Sequence, residues 1–219
     1  MTKLHTEAGG YDLFCRADWF YYLVNLSKNG SRDYQYFQND LTRNVAITEQ
    51  EFNAAKYGPG IVPFEHGEEV VPLPDGGTLR CFFHSSTVRI FNPAGELLRT
   101  LPAEVTAGCT IYSIALDADG QLWTAEPSFH YVGQYDLATG QRLWGLGGNW
   151  DPTEFNHPED LAIYGEHAFI SDMGNQRLVV LNTRTKVLGT YRTFEQPVWQ
   201  YRQFQGQELV RLDDGIYLL

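Results

Sequence analysis

The stretch "SDMGNQRLVVLN", residues 171–182, decides the fold. Its first half is polar and centred on Gly174; its second half is almost wholly apolar. A Gly-Asn pair tolerates left-handed backbone angles, so Met173-Gly174-Asn175-Gln176 reads as a tight turn feeding a strand. Asp172 and Arg177 flank that turn, and residues opposite each other across a hairpin are close enough to pair. Two readings follow. One is a polar surface contact. The other, which the turn chemistry favours, is a structural hairpin clasp made of Asp172, Gly174, Asn175 and Arg177.

Working outward, the pattern repeats. Short apolar segments recur between Gly, Pro, Asn and Asp clusters from about residue 64 onward. "EEVVPL", "TLRCFF", "VRIFN" and "ELLRTL" form one set. "IYSIAL", "QLWTAE", "YVGQYD" and "QRLWGL" form a second. "EDLAIY", "HAFISD", "RLVVLN" and "VLGTYRTF" form a third, and "VWQYRQF", "ELVRLD" and "GIYLL" an incomplete fourth. Each run is too short for an ordinary helix and is bounded as strands are. Aligning Val88, Val132 and Leu178 on their third strands gives spacings of 44 and 46 residues. Four short antiparallel strands per period of about 40–45 residues predict a β-propeller blade. A lone blade cannot bury both faces, so blades must stack. The repeats are expected at about 64–104, 110–148, 157–195 and 197–219.

Residues 1–60 read differently. "DWFYYLVNL" (18–26) and "YQYF" (34–37) are strands separated by a turn at Asn29-Gly30, and "NVAI" (44–47) is a third strand. Thr48 with Glu51 forms a capping box for a helix that Gly58-Pro59 ends. This is a short α+β N-terminal head. The last repeat lacks an outer strand; a strand of the head, within 11–26, is expected to supply it, or the head hairpin to serve as a degenerate extra blade. The fold class is therefore mainly β: a small β-propeller of four or five blades with an N-terminal head involved in closing the ring. A monomer is expected, and a dimer completing an open arc is the competing arrangement.

Residues 155–185, "FNHPEDLAIYGEHAFISDMGNQRLVVLNTRT", resemble an NHL repeat. The matching residues are Pro158, Leu161, Ala162, Phe169, Ile170, Ser171, Asp172, Gly174, Asn175, Arg177 and Leu178. The repeat at 112–147 keeps the strand-turn-strand pattern but carries Glu126-Pro127-Ser128 in place of the Asp-x-Gly-Asn turn. The head has no counterpart in the family. The resemblance implies a β-propeller scaffold that binds a protein or peptide on a face or through the head. Some NHL-like enzymes hold metal ions on the axis, using His or carboxylates at equivalent positions of several blades; here a single repeat offers them.

Composition bounds the function. Lys and Arg number 16 against 27 Asp and Glu, a net charge of −11. The chain lacks the basic footprint of nucleic-acid binders, and anionic membranes are disfavoured on the same ground. The charge favours solubility and a basic partner. Cys15, Cys81 and Cys109 offer no CxxC spacing, which fits a reducing compartment. No secretory leader and no span of about 20 apolar residues is evident, so a cytoplasmic location is expected.

No nucleophile motif, phosphate loop or metal-spaced His/Cys pair is present. "DADG" (117–120) has its Gly too early for a calcium loop and reads as a hairpin turn. His157, Glu159 and Asp160 sit where the chain enters the innermost strand of the third repeat, beside positions equivalent to Thr110-Ile111-Tyr112 and Pro197-Val198-Trp199. They are candidate binding residues at a central mouth. Trp19, Phe20, Tyr21 and Tyr22 are consecutive, so at least two leave the buried sheet face. Trp19 and Tyr21, with Trp199, are candidate aromatic contacts. The expectation is a non-enzymatic protein- or peptide-binding scaffold with no cofactor and no catalytic or metal residues. The alternatives are a hydrolase or lyase with a metal at the central mouth, and a small-ligand or glycan-binding propeller.

Overall fold

The computed structural model describes residues 1–5, 10–26, 33–61, 63, 68–82, 87–101, 110–148, 152 and 154–219. The Asn29-Gly30 turn, Cys109, His66, His84 and Trp150 lie outside the described residues. The described residues form five four-stranded sheets, the blades of a β-propeller. It divides into two compact units, Met1–Gly67 with Gln200–Leu219, and Glu68–Trp199.

The first unit holds two blades. One contains β2 (Gly10–Cys15), β3 (Phe20–Asn25), β4 (Tyr34–Asn39) and β5 (Asn44–Ile47), in that order. The other contains β1 (Thr2–His5), β18 (Val198–Phe204), β19 (Gln207–Leu212) and β20 (Gly215–Leu218), in the order β1-β20-β19-β18. The last blade is thus completed by β1, which pairs Thr2 with Leu218 and Lys3 with Tyr217. The expected donor within 11–26 is instead committed: β2 and β3 pair with each other, Leu13 opposite Tyr22 and Cys15 opposite Phe20.

The aromatic run is sorted by the period of two. Phe20, Tyr22 and Val24 join Leu13 in a core with Phe204, Leu209 and Ile216 of the last blade. Leu23 and Phe14 face the other way, onto Phe52 of α1 (Glu49–Tyr57), with Tyr21 and Tyr36 at the margin. So the second face of the β2–β5 sheet is covered by a helix.

That helix starts and stops as its residues require. Thr48 and Glu51 form the reciprocal capping box, and Gly58 at φ 107° sends its N–H back to Ala54 O. Arg16 closes the C-terminal end, donating from Nε to Ala55 O at 2.8 Å and from Nη2 to Lys56 O at 2.9 Å. Lys56 Nζ meets Asp12 Oδ2 at 2.5 Å, both side chains buried. Cys15 packs with Leu13 on the other face of β2, its thiol pushed up to about 11 by burial.

The second unit holds three blades of four strands in chain order. The first has β6 (Glu69–Pro72), β7 (Thr78–Phe82), β8 (Thr87–Phe91) and β9 (Leu97–Thr100). The second has β10 (Ser113–Leu116), β11 (Leu122–Glu126), β12 (Tyr131–Tyr135) and β13 (Arg142–Gly147). The third has β14 (Pro158–Tyr164), β15 (His167–Asp172), β16 (Arg177–Asn182) and β17 (Leu188–Thr193). Each strand matches a segment read from the sequence to within one residue at either end, or two at the start of β10. Two apolar layers fill the spaces between them. Leu79, Cys81, Val88, Ile111, Ile114, Leu122 and Tyr135 join the first to the second. Trp123, Ala125, Val132, Phe155, Leu161, Ile170 and Val179 join the second to the third. "DADG" is a hairpin turn: Asp117 Oδ1 accepts from Asp119 N at 3.0 Å and from Gln121 N at 2.9 Å.

Candidate functional site

The β15–β16 hairpin is a clasp with wider reach than its own turn. Buried Asp172 accepts on Oδ2 from Arg177 Nε at 2.7 Å and from Asn175 Nδ2 at 2.9 Å, and on Oδ1 from Asn156 N at 2.7 Å. Arg177 Nη2 continues to Glu154 O at 2.6 Å. The carboxylate therefore ties the hairpin to the segment that leads into β14. Gly174 is required for closeness: a Cβ there would sit 2.6 Å from Asn156 Cγ and 2.8 Å from Asn156 O. The left-handed residue is neither Gly174 nor Asn175 but Gln176, at φ 53°, which ends a 3-10 turn over Met173–Asn175.

The β11–β12 hairpin has the same backbone with other chemistry. A 3-10 turn over Pro127–Phe129 ends in His130, left-handed at φ 51°. His130 Nδ1 accepts from His157 N at 3.0 Å, and the two rings meet edge to face at 4.8 Å. The His157 imidazole is held below its ordinary value by burial and by His130. His130 is a partner that the sequence motif hides, because Glu126-Pro127-Ser128 departs from the Asp-x-Gly-Asn pattern.

The residues expected at the central mouth each have their own surroundings. Glu159 lies half-buried near Tyr112, whose hydroxyl is pushed up by burial and then by Glu159. Asp160 is buried, and Ser113 Oγ reaches its Oδ1 at 3.4 Å while accepting from Leu161 N at 3.2 Å. Among the described residues, no three His, Cys, Asp or Glu side chains are placed to hold a metal ion. Tyr21 stacks on Phe14 at 5.0 Å, and Trp19 lies under the Arg43 guanidinium at 4.9 Å. Trp199 is half-buried in β18.

A surface the sequence did not single out is β17. All six of its residues are exposed, and it forms one edge of its sheet. Leu188, Tyr191 and the preceding Val187 stand in solvent. Tyr191 is steadied edge to face against Phe169 at 5.2 Å. Strand alternation predicts that half of such a strand is buried. The signal that could have marked it is charge: residues 173–194 carry Arg177, Arg184, Lys186 and Arg192 and no acidic residue, in a chain of net charge −11.

Comparison with known proteins supports the fold and leaves the site open. No family model matches the chain. No curated protein matches it either. Among solved structures, a catalytically inactive virginiamycin B lyase from Staphylococcus aureus with quinupristin is similar, at TM-score 0.54 and 11% identity. That match covers 94% of this chain and 64% of the lyase. A streptogramin B lyase gives TM-score 0.55 at 10% identity, covering 100% of this chain and 70% of that one. The computationally designed Ika4 protein gives TM-score 0.52 at 13% identity, covering 72% and 94% respectively. The chain thus spans 64–70% of the length of these two lyases. At such identities the likeness is one of fold: this is a five-bladed β-propeller. No helix is long and apolar enough to cross a membrane, among the described residues.

Proposed function

We propose that this propeller is a protein-binding scaffold of the NHL kind, and that it takes up an extended peptide segment of its partner along β17. The observation that carries the reading is the edge strand Leu188–Thr193, exposed at each of its positions. A strand at the edge of a sheet offers main-chain donors and acceptors to an added strand. Leu188 and Tyr191 supply apolar contact, and Arg192 supplies charge. The partner segment is one that alternates apolar with acidic residues. The NHL assignment rests on Pro158, Leu161, Ala162, Asp172, Gly174, Asn175 and Arg177. The Asp172–Arg177 pair and the close approach at Gly174 give those motif residues a physical task. Trp19, Tyr21, His157, Glu159, Asp160 and Trp199 remain the second proposed contact set.

The test is affinity capture from native extract with the wild type and with a Leu188→Glu/Tyr191→Glu variant, followed by calorimetry on each purified partner. The reading expects a direct binary complex that the variant loses while its melting temperature is unchanged. A partner retained equally by both proteins would move the contact away from β17. Stoichiometric turnover of a small molecule with no direct partner would replace the scaffold reading.

A further inference from the structure

Trp123, Gln134 and Trp144 form a single row across three neighbouring strands: Trp123 pairs in register with Gln134, and Gln134 with Trp144. The two indoles lie 5.6 Å apart, tilted by 46°. Asp117 fixes the row from behind, its Oδ2 accepting from Trp123 Nε1 at 2.8 Å and from Gln134 Nε2 at 3.0 Å. This bond takes the Gln134 amide nitrogen and leaves its carbonyl oxygen to accept from another donor. The row therefore presents two aromatic faces and one acceptor, all built by β10–β13 and the turn after β10.

One cation sits on it. Lys186, left-handed at φ 62° in the turn between β16 and β17, places Nζ 4.5 Å from the Trp123 ring and 5.5 Å from the Trp144 ring. Nζ donates to Gln134 Oε1 at 2.6 Å and to Thr183 O. Ring faces attract a cation through their quadrupole, most strongly for Trp and more so when water is excluded. Burial holds the Lys186 amine below its ordinary value, and the Asp117 carboxylate counteracts this.

We infer that the Trp123–Gln134–Trp144 row is an alkylammonium-binding site whose resident ligand is Lys186, and that withdrawing this side chain opens it to a primary ammonium from outside, such as a lysine of another protein. The platform is fixed by Asp117 rather than by Lys186, so it persists when the lysine is gone. The Gln134 carbonyl accepts an N–H, so primary ammonium is preferred over quaternary. The inference is independent of the β17 reading, since it concerns side chains of β11–β13 and a different ligand.

The experiment uses the full chain with Lys186→Ala, Lys186→Met and Lys186→Ala/Trp144→Ala. Melting temperature and tryptophan fluorescence are followed against n-butylammonium and tetramethylammonium chloride at constant ionic strength. Lys186→Ala is expected to melt about 2–6 °C below wild type. Butylammonium should restore a saturable part of that loss and alter the fluorescence, tetramethylammonium less so. Wild type, its site filled, and the double variant should not respond. A Lys186→Ala protein that ignores butylammonium overturns the inference. Should Lys186→Ala fail to fold, Lys186→Met decides: it keeps the aliphatic stem, and melting like wild type would show that the charge contributes nothing.

Discussion

At the scale of single residues, the buried carboxylate of Asp172 carries the most. It serves Arg177, Asn175 and the Asn156 amide at once. Replacing it with Ala strands a guanidinium and a buried amide, and is expected to lower stability by about 3 kcal/mol in urea unfolding. A loss below about 1 kcal/mol would contradict the clasp. Gly174→Ala tests the close approach, with about 1–3 kcal/mol expected from the clash with Asn156. The pair Asp172–Arg177 was legible in the sequence because hairpin positions face each other. The left-handed residue was not, since Gln176 takes that conformation beside Gly174 and Asn175, and His130 takes it after Pro127-Ser128-Phe129. His157 gives a pH dependence. Its folded-state value lies below the ordinary 6.5, so the folded protein binds that proton less readily than the unfolded chain. Its contribution is intact above about 6.5 and is lost as pH falls from there through the lower folded-state value. Melting temperature should drop between pH 7.5 and 5.5, and His157→Asn should flatten the drop; an unchanged slope would remove His157 from the account.

At the scale of elements, fifteen strands from β6 to β20 could be read from alternation and from the Gly, Pro, Asn and Asp turns between them. The capping box of α1 was equally plain. β1 and β2 were hidden. β1 is four residues, mostly polar, and owes its conformation to β20 more than 200 residues away. β2 carries Asp12 toward the interior, which breaks the apolar pattern; its partner Lys56 lies 44 residues on, and that pairing has no local signature. The helix is expected to unlatch from the β2–β5 sheet as a unit. Phe52→Ala removes the ring shared by Phe14, Leu23 and Tyr36, and should cost about 3–5 kcal/mol. Hydrogen exchange should accelerate in Glu49–Tyr57 and along β2–β4 in that variant, with β14–β16 protected as in wild type. Uniform acceleration over all five blades would show that α1 does not form a local unit with its sheet.

For the molecule as a whole, the repeat period made the propeller legible, and the mode of completion came from pairing that no spacing reveals. Function is less legible because propeller contacts lie on surfaces, where the periodic constraint ends. The whole-chain charge of −11 points to a basic partner, yet residues 158–194 balance four acidic against four basic side chains. The outer half of that blade, with β17 at its rim, holds only the basic ones. Local chemistry outweighs net charge for docking at short range, because exposed charges are screened beyond about 8–10 Å at physiological salt. The most direct measurement is a display selection of twelve-residue random peptides against the wild-type protein, counter-selected on Leu188→Glu/Tyr191→Glu. The account predicts enrichment of sequences alternating apolar and acidic residues that bind wild type and lose binding to the variant. Enriched peptides that bind both proteins equally, or no enrichment at all, would contradict it.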